Sequence, residues 1–166
     1  INGWLARMPY FDARYWPQGE PPFWDRLKGI YAASLVKGEE GNLALWEKLF
    51  ETGEGRRLTP AAARSAVFIM LYRDEPILQM PFRLLECLLD IDEALATWRY
   101  RHMSMVHRTI GLRVGTGGST GKQYLAGALH SHHIFQELAD LSSFLFQRKR
   151  LPPLPPQLRS ALRFQP

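Results

Sequence analysis

One cysteine is all the chain has: Cys87, set inside an apolar run. No disulfide can close within the chain, and a lone thiol in such a run is expected to be buried and reduced. No apolar run approaches the length of a membrane span. The opening residues do not read as a signal peptide, so a cytoplasmic location with no membrane partner is the expectation. No stretch alternates convincingly between apolar and polar residues, which argues against strands. Neither a nucleophile elbow nor a Ser–His–Asp arrangement is legible. Lys and Arg (21) exceed Asp and Glu (16), giving a net charge of +5. The basic residues are scattered, apart from QRKRLPP and GEGRR. Without a basic stripe interleaved with aromatics, nucleic acid is not an expected partner.

The chain does have material for a core. Of its 166 residues 46% are hydrophobic and 12% aromatic, a globular composition. It begins INGWLARMPYF, without a Met, and that start reads like the inside of a domain. A fragment or processed product, forming a single helical domain over 1–166, is therefore expected. Proline and glycine divide it. A short helical piece lies within residues 1–22, ahead of the loop YWPQGEPP. Apolar residues at helical spacing predict helices from Phe23 to about Val36 and from about Asn42 to Glu51. The sequence LTPAAARSAVFIMLYR starts another, with Thr59 as N-cap and Pro60 in the first turn. After Pro81 comes the longest periodic segment, ending near Gly111. Its apolar positions include 84, 85, 88, 91, 95, 98, 102, 105 and 106, in recurring steps of three and four. Further helices are expected over roughly Gly121–Leu129 and Ile134–Phe146. A proline-stiffened tail follows, with a last helical turn. The fold class read from this pattern is all-α.

Between two of these helices lies GTGGSTGK, Gly115 to Lys122. A P-loop needs four residues between its first Gly and Gly-Lys, and then Ser or Thr. Here the spacing is five or three, and Gln123 follows Lys122. The dinucleotide pattern fails too, because Thr120 stands where a third Gly belongs. The loop is then either a surface turn or a cradle. As a cradle it would turn backbone N–H groups and hydroxyls toward an anion or a zwitterion.

The histidines offer the remaining chemistry. His102 follows Leu88, Ile91, Leu95 and Trp98 on the apolar face of the long helix. A histidine there is either a core residue or a ligand to a cofactor iron set in an apolar wall. Trp98, Tyr100, Met103 and Met105 are either packing or the lining of such a pocket. His107 lies about 140° around the helix from His102, so the two cannot chelate one metal. The cluster HSHH (His130, His132, His133) lacks the further ligands a zinc site needs, and a solvated loop is its other reading. Asp90, Asp92 and Glu93 sit in one helix, where Asp90 and Glu93 either share a face or make local ion pairs with arginines.

Three segments together resemble the tryptophan 2,3-dioxygenase family, in its C-terminal half. They are LYRDEPILQMPFRLLECLLDIDEALATWRYRHMSMVHRTIG, then GTGGSTG with Tyr-Leu shortly after, then ELADLSSFL ahead of a proline-rich stretch. GWLARMPYF and FWDRL resemble the family's middle section, so the likeness runs from about Trp4 to Leu162. It implies a haem b cofactor, an all-helical bundle and a homotetramer, or association with a chain that carries the distal half. The implied reaction inserts O2 across the indole C2–C3 bond of L-tryptophan to give N-formylkynurenine. By the same resemblance the histidine of W-R-x-x-H, here His102, is the axial ligand of the haem iron. The threonine of G-T-G-G, here Thr116, contacts the substrate's amino-acid head group. No segment matches the family's distal pocket, so no catalytic residue is assigned in this chain. The loop reads GSTG where GSSG is commoner, and Lys122 alters its charge. The other readings are a related haem oxygenase acting on another indole or aromatic amino acid, and a haem-free helical interaction module. A helix face built to pack against an absent half would leave an apolar patch exposed.

Overall fold

Twelve residues, PAAARSAVFIML, decide how their surroundings pack. In the computed structural model, which describes residues 1–16, 23–39, 41–110 and 133–163, they form a helix in which nine side chains are buried. A helix apolar on every side must be surrounded. In chain order the helices are α1 (Asn2–Leu5), α2 (Phe23–Ala32), α3 (Gly41–Glu47), α4 (Pro60–Leu71), α5 (Pro76–Ile110), α6 (Gln136–Asp140) and α7 (Pro156–Ala161). Tight 3-10 turns occupy Pro9–Phe11, Ala13–Tyr15, Leu141–Phe144 and Arg148–Arg150, and a π turn occupies Lys48–Thr52. No strand occurs among the described residues, and the fold is all-α. Two compact units are present: Ile1–Leu85 with Glu137–Pro166, and Glu86–Gln136.

The first unit is built around α4, which packs against α1, the π turn and the Leu141–Phe144 turn. Aromatic rings join these pieces. Tyr10 stacks on Phe68 at 4.6 Å, and Phe11 bridges Phe68 and Trp24 edge-on. Trp24 stacks on Trp46, and Phe50 meets Phe144 at 5.0 Å. Each such ring pair adds about 0.5–1.5 kcal/mol beyond the area it buries. The start of α4 is held from both sides. Thr59 caps it, with its hydroxyl accepting from Ala62 N–H at 3.3 Å. Asn2 Oδ1 accepts from both the N–H and the hydroxyl of Thr59. The Glu137 carboxylate accepts the N–H groups of Arg57 and Leu58 at 2.8–3.0 Å. Gly53 ends the π turn at φ +67°, and a Cβ there would lie 2.8 Å from the Pro60 ring. Glycine is therefore required by both backbone and space.

Several boundaries differ from the sequence expectation. α2 stops at Ala32, short of Val36, because Ser34 turns back onto the Tyr31 carbonyl through both its N–H and its hydroxyl. The next helix is regular only to Glu47 and widens into the π turn. α5 starts at Pro76 and runs through Pro81 for 35 residues, about 52 Å. Pro81 deletes one ladder bond, to the Ile77 carbonyl, at a cost of ~3 kcal/mol. Continuing the helix keeps Leu78 and Leu85, seven residues apart, both buried. Past α6 the chain tightens to a 3-10 turn, whose three-residue period puts Leu138, Leu141 and Phe144 on one buried face. Cys87 is exposed, not buried. It sits two residues, about 200°, around α5 from the buried Leu85.

The C-terminal stretch is tied back to the turn between α4 and α5. The Tyr72 hydroxyl donates to the Pro152 carbonyl at 2.7 Å, Arg148 pairs with Asp74, and Arg159 pairs with Glu75. Burial raises the Tyr10 phenol to about 12 and pushes Tyr72 up as well.

Two expected outcomes follow from this core. Phe68→Ala removes a ring that touches Tyr10, Phe11, Phe23 and Tyr72. It should cost about 3–5 kcal/mol in urea unfolding; a loss under 1 kcal/mol would show that the ring cluster is not the core. The native state also holds the phenolic protons more tightly than the unfolded chain does. Stability should thus be intact below pH 10 and fall as pH rises from 10 through 12, by up to about 3 kcal/mol for Tyr10. Tyr10→Phe should flatten that alkaline loss in a pH series of unfolding curves.

Candidate functional site

Beyond Leu85, α5 stops behaving as a core helix. Ile91, Trp98 and Met105 lie on its periodic apolar face, yet they are 50%, 60% and 58% exposed. Leu88 and Leu95 are half-buried. His102 lies on this same stripe and is exposed. Its imidazole stacks on Trp98, one turn earlier, at 5.3 Å and 13° between planes. Among the described residues neither ring nitrogen has a hydrogen-bond partner. A core histidine would have found one. Among the described residues His102 is exposed and not packed as a core histidine would be. An exposed imidazole stacked on an indole, on an apolar stripe that the described residues leave unburied, has a nitrogen donor that could hold a cofactor iron.

The stripe is bordered by two shallow concavities. One is lined by Tyr100, Arg101, Ser104, Met105, Arg108 and Thr109. The other is lined by Asp90, Glu93, Ala94, Thr97, Trp98 and Arg101. Asp90 and Glu93 thus share a face, as their spacing suggests.

Asp92 behaves differently from its neighbours. It is only 5% exposed. Its two carboxylate oxygens accept the backbone N–H groups of Ile134 at 3.0 Å and Phe135 at 3.1 Å. The Nδ1 of His133 lies 3.4 Å from the same carboxylate. Burial pushes the Asp92 carboxyl up, but the two amides and the adjacent His133 more than offset this and hold it below the usual carboxylate range. The sequence did carry a signal for this anchor: position 92 is seven residues beyond the buried Leu85, an acid in phase with a core leucine.

Thr116 and the rest of GTGGSTGK lie outside the described residues, as do the expected helix over 121–129, His130 and His132 and the side chain of His107. Among the described residues no group of three or more His, Cys, Asp or Glu side chains is placed to hold a metal ion. His133, the one described member of the HSHH cluster, is committed to Asp92. No described helix is long and apolar enough to cross a membrane.

Comparison with known proteins points to one family. The family model for tryptophan 2,3-dioxygenase matches residues 32–145. Curated proteins of that name are similar over almost the whole chain. The one from Bdellovibrio bacteriovorus is 37% identical, covering 99% of this chain and 52% of its own length. The one from Alteromonas mediterranea is 44% identical, again covering 99% and 52%. The rat protein is 43% identical, covering 98% of this chain and 46% of its own length. The chain thus spans about half the length of the curated relatives it matches.

An exposed apolar stripe of this kind should bind a hydrophobic dye. ANS added to a protein of these 166 residues should fluoresce strongly, and Ile91→Lys combined with Trp98→Lys should lower the signal severalfold. Unchanged fluorescence in the double variant would place the dye's surface elsewhere.

Proposed function

The chain belongs to the tryptophan 2,3-dioxygenase family, and from that premise we propose that it forms the proximal, haem-carrying portion of an enzyme that converts L-tryptophan to N-formylkynurenine. The observation that carries the reading is His102. It stands exposed on an apolar stripe of α5, with Trp98 stacked against it and both nitrogens free among the described residues. In this reading His102 would hold the haem iron through a ring nitrogen. Trp98, stacked on the ring, would hold the imidazole plane, and the apolar side chains beside it would exclude water. The haem, when bound, supplies the redox chemistry of O2 insertion.

Thr116 in the glycine-rich segment is the proposed contact for the substrate's head group. Its hydroxyl and the neighbouring backbone N–H groups suit a zwitterion, with no nucleotide required. No residue of this chain is given a proton-transfer role. In this reading the substrate's carboxylate partner and the distal pocket are supplied by protein outside these residues, and the working enzyme is an oligomer, a homotetramer by analogy with the family. A cytoplasmic location fits the same proposal.

The test is a pair of spectra with steady-state kinetics. His102→Ala should abolish the Soret band of the reconstituted protein, whereas His107→Ala should leave it nearly intact. A normal ferrous spectrum in His102→Ala would remove the axial assignment. Thr116→Ala should raise the KM for L-tryptophan about tenfold, the cost of one polar contact to a charged group, and leave haem content unchanged. Equal loss of haem and of substrate binding would make that threonine structural.

A further inference from the structure

Arg101 and Arg108 have no part in the reaction as read above. Both are exposed, and among the described residues neither makes an ion pair or a hydrogen bond. They lie two turns apart on α5 and so share one side of it. At about 100° per residue, Arg101 lies about 100° around the helix from His102, and Arg108 about 120° in the same direction. Met105 falls between them and His102, about 60° from the histidine. The surface agrees with this count. Arg101, Met105 and Arg108 line one concavity, together with the hydroxyl-bearing Tyr100 and Ser104. Thr109, at its edge, donates its own hydroxyl to the Met105 carbonyl at 2.9 Å. No carboxylate lines that concavity. Arg101 also borders the other one, beside Trp98, where Asp90 and Glu93 stand, and it forms an ion pair with neither. Two permanent cations with only hydroxyls between them repel each other and attract an anion. Next to the apolar stripe, they suit the acidic edge of an otherwise apolar molecule.

We propose that Arg101 and Arg108 form a carboxylate site that holds the acid groups of the haem. This rests on the functional reading given above. Haem b carries two carboxylates on one edge of an otherwise apolar ring. The stripe itself offers them no partner, since it exposes Ile91, Trp98 and Met105. The two guanidiniums beside it do. A guanidinium is always charged, and its planar fork matches a carboxylate. The arginine stems can lie along apolar surface while their heads reach the charge. His102 and the arginines then contribute separately: the histidine needs the metal, and the arginines need the acid groups.

The experiment uses the full-length holoenzyme and two probes, haem and its dimethyl ester, in which both carboxylates are masked. The rate of transfer to excess apomyoglobin is measured, along with the position of the Soret band. The parent should lose the ester about twentyfold faster than haem, for two charge-assisted contacts. Arg101→Gln with Arg108→Gln should speed haem loss by about the same factor, and each alone by about fivefold, the upper range for an exposed ion pair. The ester should leave the parent and the double variant at rates within about twofold of each other, because it has no charge to lose. The Soret position should not move, since the iron keeps its ligand. Lysine at both positions keeps the charge and should hold haem more firmly than glutamine does. A parent that retains the ester as firmly as haem overturns the proposal, and that result needs no variant to fold. So does a double variant that loses haem at the parent's rate, which would place the partners of the carboxylates elsewhere. Equal acceleration for haem and ester also overturns it, by making the arginines supports of the fold. A parent that takes up neither probe would overturn the functional reading and this role with it. That outcome is told apart because it appears before any substitution is made.

Discussion

Burial of α4 on every side is the constraint from which the rest of the first unit follows. Its nine buried side chains demand partners in all directions. Those partners come from elsewhere in the sequence: α1, Tyr10 and Phe11, Phe23 of α2, the π turn, and the turn Leu141–Phe144. The entry to α4 is fixed by groups remote in sequence, Asn2 and Glu137 on residues 57–59. A helix held at its start and wrapped along its length has one exit, the turn at residues 72–75. That exit is fastened in turn by Tyr72, Asp74 and Glu75. α5 begins directly after it.

α5 then changes character along its length. Leu78 and Leu85 belong to a packed interior. From Glu86 onward the same periodic pattern continues, but Ile91, Trp98 and Met105 remain exposed. An amphipathic face that is left uncovered costs solvation free energy, about 25 cal/mol for each Å² of apolar surface. Such a cost is tolerated where the face has work to do. The position of His102 within the face, with ring nitrogens free among the described residues and an indole against it, gives that work a chemical form. A single helix thereby links a conventional core to the surface on which the proposed cofactor would rest. Asp92 adds a second link, between that surface and the chain beyond the glycine-rich segment.

Much of this is legible in the residues. Thr59 and Pro60 announce the start of α4, and the run AAARSAVFIML announces its burial. The steps of three and four that carry Trp98 and His102 announce the face they share. What stays hidden depends on contacts distant in sequence or on competition between local terms. Nothing local tells that Glu137 will serve residues 57 and 58. Pro81 reads as a boundary because its ring costs a ladder bond, yet the burial of Leu78 and Leu85 outweighs that bond. Cys87 reads as buried because its neighbours are leucines, but helical rotation turns it outward.

The central claim is that this chain carries the haem side of a tryptophan-oxidising site. Its most direct test is an absorption titration of the unmodified full-length protein with hemin, followed by reduction and addition of L-tryptophan and air in the same cuvette. The account predicts a Soret band that saturates at one haem per chain, shifts on reduction, and is followed by growth of N-formylkynurenine absorbance. No Soret band at any hemin level would contradict it.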